Sequence, residues 1–217
     1  MTRIPLGLSA DSFLTDRSRY RYLDHVARTK EFDPDAALQS ALELFWERGY
    51  EATSMADLVE HLGVARASLY ATFGNKHELY LKALERYGEQ STVLEELSRP
   101  GPALPAVRAL IRRFADESAC DELRRGCFIT NTAVELAPRD PDAGRRVERS
   151  WDGMETALTS ALLRARAQGE LPAGRDPAGL ARMLFVLMQG MRVVGKAAPA
   201  GSPRLRDAAD QALSLLD

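Results

Sequence analysis

With 217 residues, the chain is long enough for one large or two small domains around a substantial core. Its composition, 45% hydrophobic and 28% charged, is typical of a globular protein, and a net charge of −2 excludes a chain that is basic throughout, so a nucleic-acid-binding surface must be local. Two cysteines exclude a disulfide scaffold, and the N-terminal segment lacks the unbroken apolar stretch of a signal peptide.

The most apolar run, residues 183 to 188, lies between Arg182 and Arg192. It is far shorter than the roughly 20 residues that a membrane span requires. We therefore expect a buried helix, a protein without a membrane partner, and a reducing cytoplasm as its compartment.

Residues 1–31 form a basic extension with six Lys or Arg residues and four acidic residues. One interpretation is a disordered tail, and another is an arm that grips DNA phosphates. Translation from an alternative start codon at Val26 would remove the first 25 residues altogether, and the mass of the native protein would decide this.

Capping signals predict a helix after the extension. Asp33 is positioned to cap it, Pro34 to occupy its first turn, and Gly49 to end it. Its apolar side chains recur at helical spacing, which indicates one buried face. They are Leu38, Ala41, Leu42 and Phe45.

Three further helices are predicted in quick succession. Ser54 and Asp57 form a capping pair for a short helix that Gly63 ends. A third helix spans residues 66–73, and Asn75 caps a fourth that runs past residue 84. Two short helices joined by a glycine turn and braced on each side by a longer one are typical of a helix-turn-helix.

The segment from Phe45 to Leu79 contains L-G-V-x-x-x-S-L-Y-x-x-F-x-N-K, in which the turn, the third helix and the start of the fourth share one register. Residues 34–80 resemble the DNA-binding domain of TetR-family transcriptional regulators. The resemblance implies a DNA-binding domain at residues 32–80 and an effector-binding and dimerisation domain at residues 81–217. It also implies a repressor that binds double-stranded operator DNA, responds to a small molecule and needs no cofactor.

The resemblance assigns roles to seven side chains. Positions that grip DNA phosphates are Ser54, Tyr70 and Lys76. Positions that reach base edges are Arg66, Ala67, Ser68 and Thr72. Arg66 suits guanine O6 and N7, and Ala67 suits a thymine methyl group. Simpler interpretations stay open: Tyr70 closing the domain core, Arg66 as a solvated side chain, and Lys76 stabilising a helix end.

Residues 62–77 contain no acidic side chain, as a surface that approaches DNA phosphates requires. The domain's acids, such as Asp35 and Glu51, are therefore expected to point away from DNA. His61 and His77 are expected at the surface, without a metal, because neither stands at a ligand spacing from another His, Cys or acid. The remaining apolar positions are expected in the core: Leu62, Val64, Leu69 and Phe73.

The rest of the chain also shows helical periodicity, so we predict an all-α fold, an N-terminal three-helix helix-turn-helix domain plus a larger C-terminal helical domain. The Pro-Gly-Pro sequence at 100–102 is expected to end the fourth helix. Prolines 138 and 141 are expected to break the chain after a helix at 127–137. The predicted helices are residues 104–119, 127–137, 143–168, 180–194 and 205–216.

The last two helices are too apolar for an exposed position. LARMLFVLMQGMRVV is hydrophobic nearly all round, and the final helix carries one apolar stripe. The stripe consists of Leu205, Ala209, Ala212, Leu213 and Leu216. A second copy of the chain would cover both, and the resemblance implies a homodimer on palindromic DNA. The alternative is burial within one chain.

The resemblance also implies a small-molecule site among the C-terminal helices. The candidate lining residues are Phe114, Phe128, Trp151, Met154, Phe185 and Met188. For each, plain core packing is the alternative. Two other function classes are an enzyme and a helical interaction protein that does not bind DNA. The sequence gives no support for an enzyme, because it has no Gly-rich phosphate loop, metal cluster or G-x-S-x-G motif.

Cys127 follows Gly126 at a predicted helix N-terminus, just after two arginines. The positive helix end and the nearby cations favour a thiolate, and Lys196 is a candidate to lower the thiol pKa further. The Gly-Cys pair resembles a subgroup of the family whose members respond to electrophiles and oxidants through a cysteine. The alternative is a small buried hydrophobe, and Cys120 is either a resolving partner or incidental.

Overall fold

The computed structural model describes residues 32–199 and 201–217. The N-terminal extension and the proposed start at Val26 lie outside the described residues. Within these residues the chain forms ten α-helices and no β-strand, which confirms the all-α prediction.

The first four helices begin and end where local signals predict. They are α1 (Pro34–Arg48), α2 (Met55–Leu62), α3 (Arg66–Phe73) and α4 (Lys76–Glu89). Asp33 and Asn75 cap α1 and α4 through their side chains, and Ser54 forms a capping box with Asp57. Gly63 ends α2 with φ of 62° and ψ of 24°, a left-handed conformation that glycine adopts without strain.

The fourth helix does not extend to Pro100. It ends at Glu89, and a separate short helix, α5 (Val93–Ser98), fills the gap. The buried side chains of Val93 and Leu97 attach α5 to the core of the C-terminal helices. The prediction was wrong because it relied on the Pro-Gly-Pro sequence alone. No proline marks the break after Glu89, but Thr92 and Glu95 have the spacing of a capping box and mark the start of α5.

The remaining helices are α6 (Ala103–Ala119), α7 (Phe128–Glu135), α8 (Pro141–Ala167), α9 (Pro177–Ala197) and α10 (Arg204–Ser214). Pro141 starts α8 rather than breaking the chain, because a proline in the first turn of a helix lacks only an N–H that would have no helical partner. Asp140 and Asp176 cap α8 and α9 through their side chains.

Helices α6, α8, α9 and α10 pack around one core. All five residues of the predicted apolar stripe are buried in this core, four on α10 and Leu216 just after its end: Leu205, Ala209, Ala212, Leu213 and Leu216. The expectation that a second chain covers this stripe was therefore wrong. The stripe faces α6 of the same chain, and burial there removes its apolar surface from water.

Helix α9 keeps an uncovered face. Val186 is 65% exposed and Val193 is 50% exposed, whereas Leu184, Met188 and Met191 are buried. The helix has 21 residues and is the one in the described part of the chain that is long and apolar enough to cross a membrane. The expectation that its length rules out a membrane span was therefore wrong. Its packing against α6, α8 and α10 instead indicates a core helix of the helical body.

Candidate DNA-binding surface and ligand cavity

Helix α3 presents a solvent-exposed face without acidic side chains. Arg66, Ala67 and Thr72 are exposed, Tyr70 is 42% exposed, and Ser68 is half-buried. The opposite face of the helix is anchored by Leu69 and Phe73, which are buried as expected, as is Val64; Leu62 is half-buried. The Arg66 guanidinium lies 5.9 Å from the centroid of the Tyr70 ring. The interpretation of Tyr70 as a residue that closes the domain core does not fit this exposure.

Ser54 lies at the exposed N-terminus of α2. Its Oγ accepts a hydrogen bond from the Asp57 backbone N–H at 3.1 Å, and its own backbone N–H donates to Asp57 Oδ2 at 2.7 Å. Hydrogen bonds from the Ser54 side chain and backbone lower the pKa of Asp57. The capping box fixes the start of α2 and leaves Ser54 at the surface.

Lys76 holds the turn between α1 and α2. Its Nζ donates to the carbonyl oxygens of Tyr50 and Thr53, both at 2.9 Å, and lies 4.0 Å from the centroid of the Tyr50 ring. The ammonium group has three N–H donors, so one remains for another acceptor. Lys76 therefore stabilises a turn rather than a helix end, and phosphate contact stays a prediction.

Glu135, the last residue of α7, binds the same α1–α2 turn through backbone N–H groups. Its Oε2 accepts from the Tyr50 N–H at 3.2 Å and its Oε1 from the Glu51 N–H at 2.9 Å. The Glu51 side chain forms an exposed ion pair with Arg139 at 3.0 Å. Helix α7 is thereby attached to the turn that leads into the helix-turn-helix.

His77 is not the simple surface residue that the sequence predicted. Its Nε2 lies 2.6 Å from Asp140 Oδ2, which joins the start of α4 to the start of α8. Desolvation raises the pKa of Asp140, but hydrogen bonds from the Ala143 backbone and His77 outweigh this and lower it overall. The sequence showed no metal-ligand spacing for His77, but a ring nitrogen of His77 and carboxylate oxygens of Asp140 and Asp142 lie within 4.8 Å of one another and could hold a metal ion. Asp142 pairs with Arg145, and Asp140 Oδ1 caps α8. These groups therefore serve to connect helices.

A cavity of about 280 Å³ lies between the end of α4 and helices α6 to α9; we call it the inner cavity. Of the residues predicted to bind or sense an effector, four line it: Phe114, Cys127, Trp151 and Met154. A more open groove of about 460 Å³ adjoins it and shares Met154, Ile129 and Ser150; we call it the outer groove.

The other predicted residues lie outside the inner cavity lining. Phe128 is buried, and its ring meets the rings of Tyr80 and Tyr87 edge-on, with distances of 5.2 and 5.7 Å between ring centroids. Phe185 packs against Trp151, with 5.9 Å between the ring centroids, and Met188 is fully buried in the core. Core packing, the alternative given for each, describes Phe128 and Met188.

Cys127 occupies the N-cap position of α7 without a side-chain capping hydrogen bond, and it borders the inner cavity. Burial raises the pKa of the neighbouring Tyr87 hydroxyl, Cys127 raises it further, and the Arg192 guanidinium opposes the shift. Lys196 is exposed, and its side chain passes Gly126: a Cβ added to Gly126 would lie 3.4 Å from Lys196 Cδ. Cys120 is exposed and lies 3.9 Å from Arg206 Nη2.

Two family models match the chain. Residues 37–83 match the bacterial regulatory proteins of the tetR family, and residues 103–213 match the tetracyclin repressor-like C-terminal domain. The HTH-type transcriptional regulator YezE of Bacillus subtilis (strain 168) is 40% identical over 195 residues, which cover 88% of this chain and 100% of the relative. The chain belongs to the TetR family.

Other relatives of this TetR-family protein agree. The HTH-type transcriptional repressor ComR of Escherichia coli (strain K12) is 36% identical over 76% of this chain and 80% of its own length. A cysteine-substituted form of the TetR-family regulator CifR, solved with a 26-base-pair operator DNA, superposes with a TM-score of 0.76 at 29% identity, covering 88% of this chain and 100% of that one. The protein is thus a DNA-binding transcriptional regulator of a family whose members respond to ligands.

Sequence reasoning missed several residues that line the cavity of this regulator. Trp46 belongs to α1, yet its Nε1 donates to the Gly126 carbonyl at 3.1 Å, and the Arg125 guanidinium lies 4.2 Å from its ring. Tyr87, Arg113, Gln189 and Arg192 also line the cavity. A search for apolar side chains alone could not find Arg113, Gln189 and Arg192. Trp46 lies there because the segment before α7 approaches α1 at Gly126 and Arg125.

Proposed function

We propose that this TetR-family regulator is a cytoplasmic repressor that binds a palindromic operator as a homodimer and is released by a small molecule in the inner cavity. The observation that carries the proposal is the exposed, acid-free face of α3 in the register of the family. In this proposal residues 32–80 bind DNA and residues 81–217 bind the effector and the second subunit.

The DNA contacts divide by chemistry. Arg66 is exposed at the first position of α3, where its guanidinium can reach the edge of a guanine, and Ala67, Ser68 and Thr72 complete the base-reading face. Ser54, Tyr70 and the remaining N–H of Lys76 hold phosphates and set the register. Asp35 pairs with Arg86 and Glu51 with Arg139, whereas the Asp57 carboxylate stays beside Ser54, whose backbone N–H donates to it.

The homodimer is supported by the uncovered face of α9. Val186 and Val193 stand two helical turns apart on that face, and Leu163 of α8 is also exposed. A two-fold axis along this face would bury the valines of both chains and set two copies of α3 on the two halves of a palindrome. Sedimentation that shows a stable monomer at micromolar concentration would contradict this part of the proposal.

Operator binding is tested by gel shift on the intergenic DNA upstream of the protein's own gene, over a series of salt concentrations. Retardation that weakens steeply with salt is expected, because binding to phosphates releases counterions. Absence of retardation at low salt would favour the alternative, a helical protein that binds partners other than DNA.

The two kinds of contact predict different mutant behaviour. Arg66→Ala should lose roughly 1–3 kcal/mol of discrimination between operator and mutated operator. Lys76→Ala should weaken binding to all sequences about equally, and it should also lower stability because Tyr50 and Thr53 lose their donor. Fluorescence anisotropy on both DNAs separates these cases, and uniform loss by Arg66→Ala would refute its assignment as a base reader.

A second mode of effector response is carried by Cys127, whose position on the inner cavity exposes its thiol to molecules that enter there. We infer that an electrophile adds to this sulfur and releases the operator. A maleimide should release DNA from the wild type, while Cys127→Ser should stay bound. Equal behaviour of the two proteins would leave Cys127 as a packing residue and favour a reversible effector.

A further inference from the structure

Among the described residues, those that line the inner cavity include two arginines and no acidic side chain. Arg113 pairs with Glu96 and Glu117, and Arg192 pairs with Glu117 at 2.6 Å, but neither acid belongs to the lining. The Arg192 side chain is 18% exposed, so its charge is only partly screened by water. The outer groove differs, because Glu85 and Glu89 line it together with Arg146 and Arg149.

Two N–H donors in this lining lack an oxygen acceptor. Trp151 Nε1 is buried and has no hydrogen-bond partner in the described part of the chain. Gln189 is held in one orientation, since its Oε1 accepts from Thr130 Oγ1 at 2.8 Å. Its Nε2 then meets Met154 Sδ at 3.8 Å, and a thioether is a weak acceptor. A buried donor without a good acceptor costs free energy, so an acceptor on a ligand would be favoured here.

The remaining wall is apolar and small. Phe114, Ile129 and Met154 line it, and the Arg192 guanidinium lies 4.3 Å from the centroid of the Phe114 ring. A volume of about 280 Å³ is just below the roughly 300–1,000 Å³ of pockets for drug-sized ligands. One aromatic ring or a short branched chain therefore suits the space better than a larger molecule.

We propose that the inner cavity binds a small monocarboxylate with a compact aromatic or branched body. Its carboxylate accepts hydrogen bonds from Trp151 Nε1 and Gln189 Nε2 beside the Arg192 guanidinium, and its body packs against the apolar wall. This inference rests on the proposed function, in which the cavity is the effector site.

A charge series with one constant body tests the ligand class. Phenylacetate, phenylacetamide and phenethylamine share the benzyl group and end in an anion, a neutral amide and a cation. Titration calorimetry with the full chain should show phenylacetate binding at least about tenfold more tightly than the amide, because hydrogen bonds to charged groups are the stronger ones. The amine should not bind.

Variants locate the binding. Arg192→Gln should lower the affinity for phenylacetate by about 10- to 100-fold. Trp151→Phe, which keeps an aromatic ring but removes the indole N–H, should lower it by about tenfold. If loss of the Glu117 ion pair unfolds Arg192→Gln, Trp151→Phe still decides the question. Arg149→Gln in the outer groove is the matched control and should bind phenylacetate like the wild type.

The inference is overturned if phenylacetate fails to bind at millimolar concentration, if the amide or amine binds as tightly, or if Trp151→Phe binds the anion like the wild type. Operator binding by the ligand-free protein is measured separately. If the protein binds the operator but not the anion, only this inference is contradicted. If it binds no operator, the proposed function is contradicted, and calorimetry still decides the ligand class.

Discussion

Replacing Gly195 with alanine is expected to destabilise the protein by about 3 kcal/mol, at the upper end of what overpacking of a core usually costs. Gly195 is buried in α9, where the helix crosses α6 so closely that an added Cβ would lie 2.3 Å from the Ser118 carbonyl oxygen and 2.9 Å from its carbonyl carbon. Both are backbone atoms, which cannot move aside as a flexible side chain can. The two helices must separate, and the core between them loosens.

Urea denaturation measures the effect as a lower midpoint with an unchanged slope. Gly153→Ala is the control, because Gly153 is exposed in α8 and an added Cβ has no atom within 4 Å. This variant should be more stable by roughly 0.5–1 kcal/mol, since alanine loses less conformational freedom in a helix. Equal midpoints for Gly195→Ala and the wild type would show that α6 and α9 are not in such close contact.

Glu135→Ala is expected to lower stability by roughly 2 kcal/mol and to weaken operator binding. The carboxylate accepts hydrogen bonds from two backbone N–H groups, at Tyr50 and Glu51, and such charge-assisted bonds are worth about 1.5–3 kcal/mol each when shielded from water. Partial exposure reduces their sum. The turn they hold leads directly into Ser54 and α2, so its release also loosens the DNA-binding surface.

The matched control for this prediction is Glu51→Ala. It removes the exposed ion pair with Arg139 but keeps the backbone N–H that Glu135 binds, so a change within about 1 kcal/mol is expected. Urea denaturation and anisotropy on operator DNA compare the two variants. If both lose the same stability, the contribution comes from the surface charges and not from the backbone bonds of Glu135.

The helices of the DNA-binding segment could be predicted from sequence because hydrogen bonds between residues close in the chain set their boundaries. The side chains of Asp33, Ser54 and Asn75 accept hydrogen bonds from backbone N–H groups two or three residues ahead, and Gly63 adopts its own left-handed turn. Helix α5 could be predicted only in part: Thr92 and Glu95 have the spacing of a capping box, but Thr92 makes no side-chain capping hydrogen bond and no proline marks the end of α4.

The site was predictable only in part. The exposed face of α3 follows from a register in which Leu69 and Phe73 anchor the opposite side, so sequence periodicity was sufficient there. In the cavity, an apolar search found Phe114, Trp151 and Met154 but not the polar groups beside them. Arg192 and Gln189 read as ordinary polar positions on α9 until packing against α6 and α7 turns them inward.

The all-α class, the helix-turn-helix register and the absence of acids on the DNA-binding face could all be read from the amino-acid sequence, because these features depend on residue spacing and local hydrogen bonds. Helix packing determines where each apolar face is covered: the α10 stripe lies against α6, while Val186 and Val193 on α9 stay exposed. It also determines that Lys76 and Glu135 hold one turn from two sides. Contacts between residues so far apart in the chain depend on how the helices pack, which no local pattern specifies.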